Sequence, residues 1–209
     1  GITSANAGKF LRVASNGVNL EYTSANTDVS GSFEVTGSFT LEGDAIITGS
    51  LFVTGSRIDL HDGKNNVAVG KDSLLALTTG TYNTALGLDS LNDLTTGTRN
   101  IGIGPFAMDK ADGAEADNIA IGYNSLGTLN NDSSIKNIAI GNYALDATST
   151  NAMTGTIAIG HEALTALTSG TNNTVVGYQA ADAMTSANYN TAFGYQALSA
   201  ETVGHAATA

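Results

Sequence analysis

The sequence predicts an all-β, repetitive fibre in which a stalk of very short strands is followed by a parallel β-roll. Three observations carry this prediction. Glycines recur every six residues between Gly31 and Gly55, a five-residue phrase recurs eight times from Asn66 onward, and no segment has the pattern of an ordinary helix. Internal repeats of this kind are the sequence signature of stacked, solenoid-like architectures.

Residues 1–28 are predicted to form a small β-hairpin cap or joint. Two short apolar stretches, around Phe10 and Leu20, flank the dipeptide Asn16-Gly17. Asn-Gly is the strongest short-range signal for a two-residue hairpin turn.

Residues 29–63 are predicted to form a stalk of six-residue repeats. The repeated phrase is Gly-Ser-apolar-x-apolar-Thr, which alternates as a short strand with one buried face. A repeat of only six residues cannot cover its own apolar face, so the stalk needs partner chains to bury that face. Three chains around one axis are the simplest arrangement that closes a triangular β-prism.

Residues 64–200 are predicted to form the roll, with one coil for each copy of the phrase Asn-apolar-small-apolar-Gly. Successive copies start 17 to 19 residues apart. The residues at the two ends of the phrase are the structural repeat positions: Asn66 and Gly70, Asn83 and Gly87, Asn100 and Gly104, Asn118 and Gly122, Asn137 and Gly141, Thr156 and Gly160, Asn173 and Gly177, Asn190 and Gly194.

Each position of the phrase has a predicted structural role. Alternation places Ile119 and Ile121 on one face of the strand and Ala120 on the other. We expect the branched residues to form ladders inside the roll and the alanine face to admit a close neighbouring backbone. The terminal glycine permits a corner that a Cβ would resist. The asparagine is suited to a stacked amide ladder or to capping the preceding turn.

The connections between copies are predicted to be turns. Their commonest form is Leu-Thr-Thr-Gly-Thr, and the length variation is confined to residues 110–117, 128–136 and 146–155. We expect these longer segments to bulge from one side of the roll, where a lateral target would bind. Residues 201–209 are predicted to be a tail or the start of a further segment.

A single chain is not expected to be stable alone. Its apolar residues are mostly small, with no tryptophan, and their burial offsets too little of the conformational entropy of ordering the backbone. We therefore predict a parallel homotrimer.

Composition excludes several functional classes. With no cysteine among 209 residues, disulfide frameworks, cysteine-ligated metals and thiol nucleophiles are ruled out. The 8 Lys and Arg against 19 Asp and Glu give a formal charge of −11, which disfavours phosphate backbones. No apolar run suits a membrane helix, and residues 1–10 lack a signal-peptide pattern. We expect no nucleic-acid partner and no membrane insertion.

The pentads, followed by a small residue and usually Leu, resemble the head repeats of trimeric autotransporter adhesins and of related bacteriophage tail-fibre and appendage proteins. This resemblance covers about residues 66–200. Residues 6–11 and the six-residue repeats are similar to shaft segments of phage fibres. The resemblance implies a left-handed parallel β-roll, trimerisation, and a role in attachment. The repeat is longer than the usual adhesin head repeat, and Thr156, Gly102 and Val175 depart from the motif.

Candidate ligand sites have competing structural interpretations. The segment Gly102-Ile103-Gly104 is like a phosphate-binding loop, but it is one of eight copies and no basic helix follows it. The histidines His61, His161 and His205 are far apart in the sequence, which favours packing or solvated roles over metal ligation.

Acidic and aromatic residues give two further candidates. Asp109, Asp112, Glu115 and Asp117 could hold calcium, but they match no standard calcium-loop spacing, and we expect a solvated loop. Three tyrosines, Tyr123, Tyr178 and Tyr195, share the position after the pentad glycine. The last two should stack on adjacent coils, either as a stabilising stack or as a surface that contacts sugars.

The expected function is non-enzymatic and requires no metal or cofactor. We expect a structural component of a virion appendage, a tail or head fibre, that projects or mediates attachment to the host cell surface. Its partners would be other copies of itself, other virion proteins, and a host glycan or protein. The alternatives are a bacterial surface adhesin head and a polysaccharide-degrading tailspike, although no pair of carboxylates on rigid elements is recognisable for the latter.

Overall fold

The computed structural model describes residues 63–147 and 151–209. These residues belong to one compact unit, Thr54–Ala209. The predicted hairpin at 1–28, the predicted stalk at 29–63 except for Gly63, and His61 lie outside the described residues.

The described chain is a β-solenoid of about eight turns in which all strands pair in parallel. Its larger sheet has one strand per pentad and follows chain order: β1 (Val67–Val69), β2 (Thr84–Leu86), β3 (Ile101–Ile103), β4 (Ile119–Ile121), β5 (Ile138–Ile140), β7 (Ile157–Ile159), β9 (Thr174–Val176) and β11 (Thr191–Phe193). No helix occurs in residues 63–147 or 151–209. The all-β prediction is confirmed for this part of the chain.

A second sheet lies in the connections between pentads. It contains β6 (Met153–Thr154), β8 (Ser169–Thr171), β10 (Ser186–Asn188) and β12 (Val203–His205). Single bridges, such as Thr81 to Thr98 and Thr98 to Ala116, continue the same pairing through the earlier coils. The connections predicted as turns are therefore partly strands, because their backbone groups pair with the same segment of the next coil.

The pentads stay in register although the repeat length varies. Ile119 pairs with Ile138, Ala120 with Ala139 and Ile121 with Ile140, the same matching seen where the repeat is shorter. The additional residues therefore lie outside the paired strands.

The core contradicts the predicted orientation of the pentads. Ala120 is fully buried, whereas Ile119 and Ile121 on either side of it are only half-buried. The expectation of branched ladders inside the roll is therefore wrong. The reason is the width of the coil: a Cβ on Gly102, at the same pentad position as Ala120, would lie 3.0 Å from Leu91 Cγ. From β2 to β11 the buried residue at this pentad position is Gly or Ala, or at most Val175, so the interior is too narrow for the isoleucines.

Two columns of aliphatic side chains from the connections fill the rest of the interior. All are buried, and no aromatic side chain of the described residues joins them. The first column is Leu74, Leu91, Met108, Leu126, Leu145, Leu164 and Ala181, and the second includes Leu94, Ala111, Leu129, Leu167 and Met184. The aromatic side chains of the described residues therefore lie at or near the surface and not in the core.

Left-handed backbone conformations make the corners. In the fourth coil Asn124, Leu126 and Lys136 have φ of 53°, 50° and 61°, a region that costs a non-glycine residue about 1 kcal/mol or more. Hydrogen bonds to neighbouring coils hold these residues: Asn124 N donates to Pro105 O at 3.1 Å, and Leu126 N to Ala144 O at 3.0 Å. The corner geometry is therefore a property of the stack rather than of one coil.

Candidate functional site

The pentad asparagines form a buried amide ladder. Asn118 Oδ1 accepts hydrogen bonds from Asn137 N at 3.0 Å and from Asn137 Nδ2 at 3.1 Å. Asn137 Nδ2 also donates to Met153 O at 2.9 Å. The same pattern joins Asn66 to Asn83, Asn83 to Asn100, Asn100 to Asn118, and Asn173 to Asn190. These residues serve the structure rather than a ligand.

Thr156 interrupts the ladder. Its backbone N donates to Asn137 Oδ1 at 3.1 Å, as an asparagine there would. Its Oγ1 is buried and has no hydrogen-bond partner. The departure from the motif at this position therefore leaves a polar group unsatisfied inside the fold.

The pentad glycines stack so closely that no side chain fits between most of them. Gly122 has φ of +134°, and a Cβ on it would lie 2.6 Å from the carbonyl carbon of Gly141. The other members of this column are Gly70, Gly87, Gly104, Gly160, Gly177 and Gly194. Gly104 stacks on Gly122 within this column, and Gly102 lies in β3. The segment Gly102-Ile103-Gly104, which is like a phosphate-binding loop in sequence, therefore has the same backbone role as the other pentads.

An apolar face runs along the outside of the larger sheet. It consists of the first and third residues of each strand, and we call it the outer isoleucine face: Val67, Val69, Thr84, Leu86, Ile101, Ile103, Ile119, Ile121, Ile138, Ile140, Ile157, Ile159, Thr174, Val176, Thr191 and Phe193. None is buried, and Leu86 is 47% exposed. Monomeric soluble proteins rarely expose a continuous apolar surface of this extent.

An aromatic row runs along the corner that follows the larger sheet. Ring centroids 5.3 to 6.1 Å apart link six residues on successive coils: Phe106, Tyr123, Tyr143, His161, Tyr178 and Tyr195. The predicted stack of Tyr178 on Tyr195 is present, with a centroid distance of 5.7 Å and an interplanar angle of 14°.

Sequence reasoning found only part of this row. Phe106 and Tyr143 were missed because they lie two residues after the pentad glycine rather than one, behind Pro105 and Asn142. The available signal was the repeat length, which brings both positions next to Tyr123.

The acidic residues do not form the group of four suggested by the sequence. Carboxylate oxygens of Asp112, Glu115 and Asp132 lie within 4.8 Å of one another. Asp109 instead pairs with Lys110 at 3.1 Å, and Asp117 pairs with Arg99 at 2.6 Å. The grouping by chain proximity is therefore wrong for Asp109 and Asp117.

Glu115 connects two loops of adjacent coils. Its side chain is buried, Oε2 accepts from Gly113 N at 3.0 Å, and Oε1 accepts from Asn131 N at 3.0 Å. Burial raises the pKa of Glu115, and the nearby charges of Asp132 and Asp112 raise it further. The carboxylate is thus engaged by backbone donors.

The pKa values of three other carboxyl groups are shifted by their surroundings. Burial raises the pKa of Asp109, although Lys110 opposes this shift. Burial, and then the charge of Asp109, raises the pKa of Asp146. The hydrogen bond from Arg99 instead lowers the pKa of Asp117.

The described histidines are not assembled into a metal site. His161 belongs to the aromatic row, with Nε2 3.5 Å from Glu162 Oε1. His205 Nδ1 lies 3.3 Å from Asn188 Nδ2.

Comparison with protein-family profiles, curated proteins and solved structures finds no match to this chain. Across residues 63–147 and 151–209, no helix has the length and apolar character to span a membrane.

Proposed function

We propose that this chain is a non-enzymatic structural segment of a virion appendage, a tail or head fibre, which assembles as a parallel homotrimer and projects or mediates attachment to the host cell surface. The outer isoleucine face is the observation that carries the proposal. Strands of a sheet with one face in water normally alternate apolar and polar residues, whereas apolar residues on both faces are typical of parallel sheets that are covered on both sides. These parallel strands carry Ile119 and Ile121 outward and Ala120 inward. An apolar outer face of this kind favours burial against other copies.

The proposed role is mechanical. Consecutive coils are held by backbone pairing, by the amide ladder and by the glycine column. Such a stack resists local opening because each coil is bonded along its length to the next. The net negative charge of −11 discourages one fibre from associating with another.

The number of chains follows from the resemblance and from the stalk. A triangular β-prism of three chains would close the six-residue repeats predicted for residues 29–63, and a left-handed roll is the form that the adhesin-like pentads imply. In a cyclic trimer every copy presents the same surface. Every coil places at least one large apolar residue on the outer isoleucine face, so copies in parallel register would contact one another along the whole roll.

Light scattering of the intact chain tests the assembly. We expect three times the 21.1 kDa mass of one chain, and a species of lower mobility on a denaturing gel that disappears on boiling. A double substitution on the outer isoleucine face, Ile121→Asp with Ile140→Asp, should lower the mass, whereas Ser186→Asp at an exposed site of the second sheet should not. A monomeric mass for the unmodified chain would refute the proposal.

A bacterial surface adhesin head is the second candidate, since the pentads resemble both groups. The phage-like repeats between Gly31 and Gly55 favour the virion. A complete gene product that carries an outer-membrane anchor would instead establish the bacterial alternative.

A further inference from the structure

The placement of aromatic side chains in this solenoid is unusual. Residues 63–147 and 151–209 contain eight Phe and Tyr residues, and none is buried. Large aromatic side chains usually dominate protein cores. Here five of the eight lie in the aromatic row together with His161, with Tyr178 47% and Tyr195 72% exposed.

The geometry of the row leaves ring faces open. The contacts of Phe106 with Tyr123, of Tyr123 with Tyr143 and of Tyr143 with His161 are edge-on, with interplanar angles of 77°, 66° and 76°. In a T-shaped contact the ring that contributes its edge keeps both of its faces uncovered by that neighbour. Such faces can receive the C–H groups of a ligand.

A polar row accompanies the aromatic row over its last three coils. Gln179 Nε2 donates to Glu162 Oε2 at 2.7 Å, and Gln196 Nε2 donates to Gln179 Oε1 at 3.1 Å. Each of these residues directly follows a ring residue in the chain. Planar amides and carboxylates beside aromatic rings present donors and acceptors that suit a ligand rich in hydroxyl groups.

The charge of this region selects against anionic ligands. Residues 137–209 contain no Lys or Arg. Glu162 adds a negative charge within the polar row itself. A sulfated or uronic-acid polymer would be repelled there, whereas a neutral polymer would not.

We propose that the aromatic row and its accompanying polar row bind a neutral glycan chain lengthwise. Six coils at a strand spacing of about 4.8 Å give a strip of roughly 24 Å, which accommodates several sugar residues. The proposal names the ligand class for the attachment role and so rests on the proposed function.

The intact chain can be titrated with cellohexaose, chitohexaose, maltohexaose and mannohexaose, and with a heparin hexasaccharide as the anionic comparison. The chain has 7 Tyr and no Trp, so tyrosine fluorescence and saturation-transfer NMR detect binding, and the variants assign it to the row. We expect at least one neutral hexasaccharide to bind. Tyr178→Ala with Tyr195→Ala should weaken that binding by about tenfold or more.

Tyr82→Ala with Tyr189→Ala is the matched control. These two tyrosines are 60% and 63% exposed but lie outside the row, and their removal should leave binding unchanged. Binding of none of the neutral probes, binding of heparin alone, or equal losses in both double variants would overturn the proposal. A row variant that lowers the scattering mass would also overturn it, by placing the row between copies of the chain.

The failure of this proposal is distinguishable from that of the proposed function. The scattering mass of the unmodified chain decides the assembly without any glycan. A trimer that binds no neutral probe therefore refutes the glycan surface alone.

Discussion

Asn137 Oδ1 accepts a hydrogen bond from Thr156 N at 3.1 Å, but the buried Thr156 Oγ1 has no partner and the amide ladder stops there. It resumes one coil later, where Asn173 Oδ1 accepts from Asn190. One coil of the solenoid is therefore joined to the next without the side-chain bonds that the other pentads use.

Thr156→Asn should stabilise the fold. The new Oδ1 would accept from Asn173 N and Nδ2, and an unsatisfied buried hydroxyl would be removed. We expect a gain of about 1–2 kcal/mol in the free energy of unfolding, since a net hydrogen bond is worth about 1 kcal/mol. Chemical denaturation measures this change. The reciprocal change Asn137→Thr should be destabilising, and a loss of stability in Thr156→Asn would contradict the ladder argument.

Gly122→Ala should be strongly destabilising, by about 3 kcal/mol or more, because strain at positive φ is combined with a collision with backbone. Gly194→Ala provides a matched control. Gly194 has nearly the same φ, +137°, but nothing lies within 4 Å of a Cβ placed there. Its cost should be limited to strain of about 1–2 kcal/mol. Equal losses in thermal unfolding would show that the stacking is unimportant.

Gly102→Ala should be coupled to Ser90. A Cβ on Gly102 would lie 2.6 Å from Ser90 Oγ, which donates to Gly102 O at 2.9 Å. The next coil has alanine at both equivalent positions, Ala107 and Ala120, and both are fully buried. We therefore expect Gly102→Ala alone to cost about 1 kcal/mol and the addition of Ser90→Ala to restore most of it. A double-mutant cycle without coupling would contradict this contact.

The fold should become more stable in mild acid. Burial raises the pKa values of Glu115, Asp109 and Asp146, so the folded state binds more protons than the unfolded state just above their ordinary pKa. Stability from these groups therefore rises as the pH falls from 7 toward about 4. The contribution of Asp117 to stability changes with pH in the opposite direction, because its pKa is lowered in the folded state.

Thermal unfolding between pH 7 and about 4 measures this dependence. Glu115→Gln should flatten the rise in stability, whereas Glu201→Gln, at an exposed site, should leave the slope unchanged. A steady loss of stability over the same range in the unmodified chain would contradict the prediction.

The repeat predicts which pentad residues pair between coils and that the asparagines stack in a ladder. It does not predict which face of each pentad strand points into the core. Alternation shows that Ile119 and Ile121 share a face, yet the same pattern results whichever face is inside. The answer depends on the interior width, which Leu91 and its column set from the connections. Nothing within the pentad itself carries that information.

The sequence indicates Asp112 and Glu115 but not Asp132 as members of the acidic cluster, because chain neighbours alone do not show which residues are close in space. Asp132 lies one repeat away from Ala114, whose N donates to Asp132 Oδ1 at 2.9 Å. In a solenoid the nearest residues in space are separated by one period. Adding the repeat length to each acidic position would have placed Asp132 beside Asp112 and Glu115.

The residue-by-residue pairing of pentads affects how the number of repeats can change during evolution. Each strand of the larger sheet bonds only to the strand before it and the strand after it, so a duplication or deletion of one whole period leaves every remaining junction intact. The length of the solenoid along its stacking axis can thus change in increments of about 4.8 Å while the sequence of every other coil stays the same.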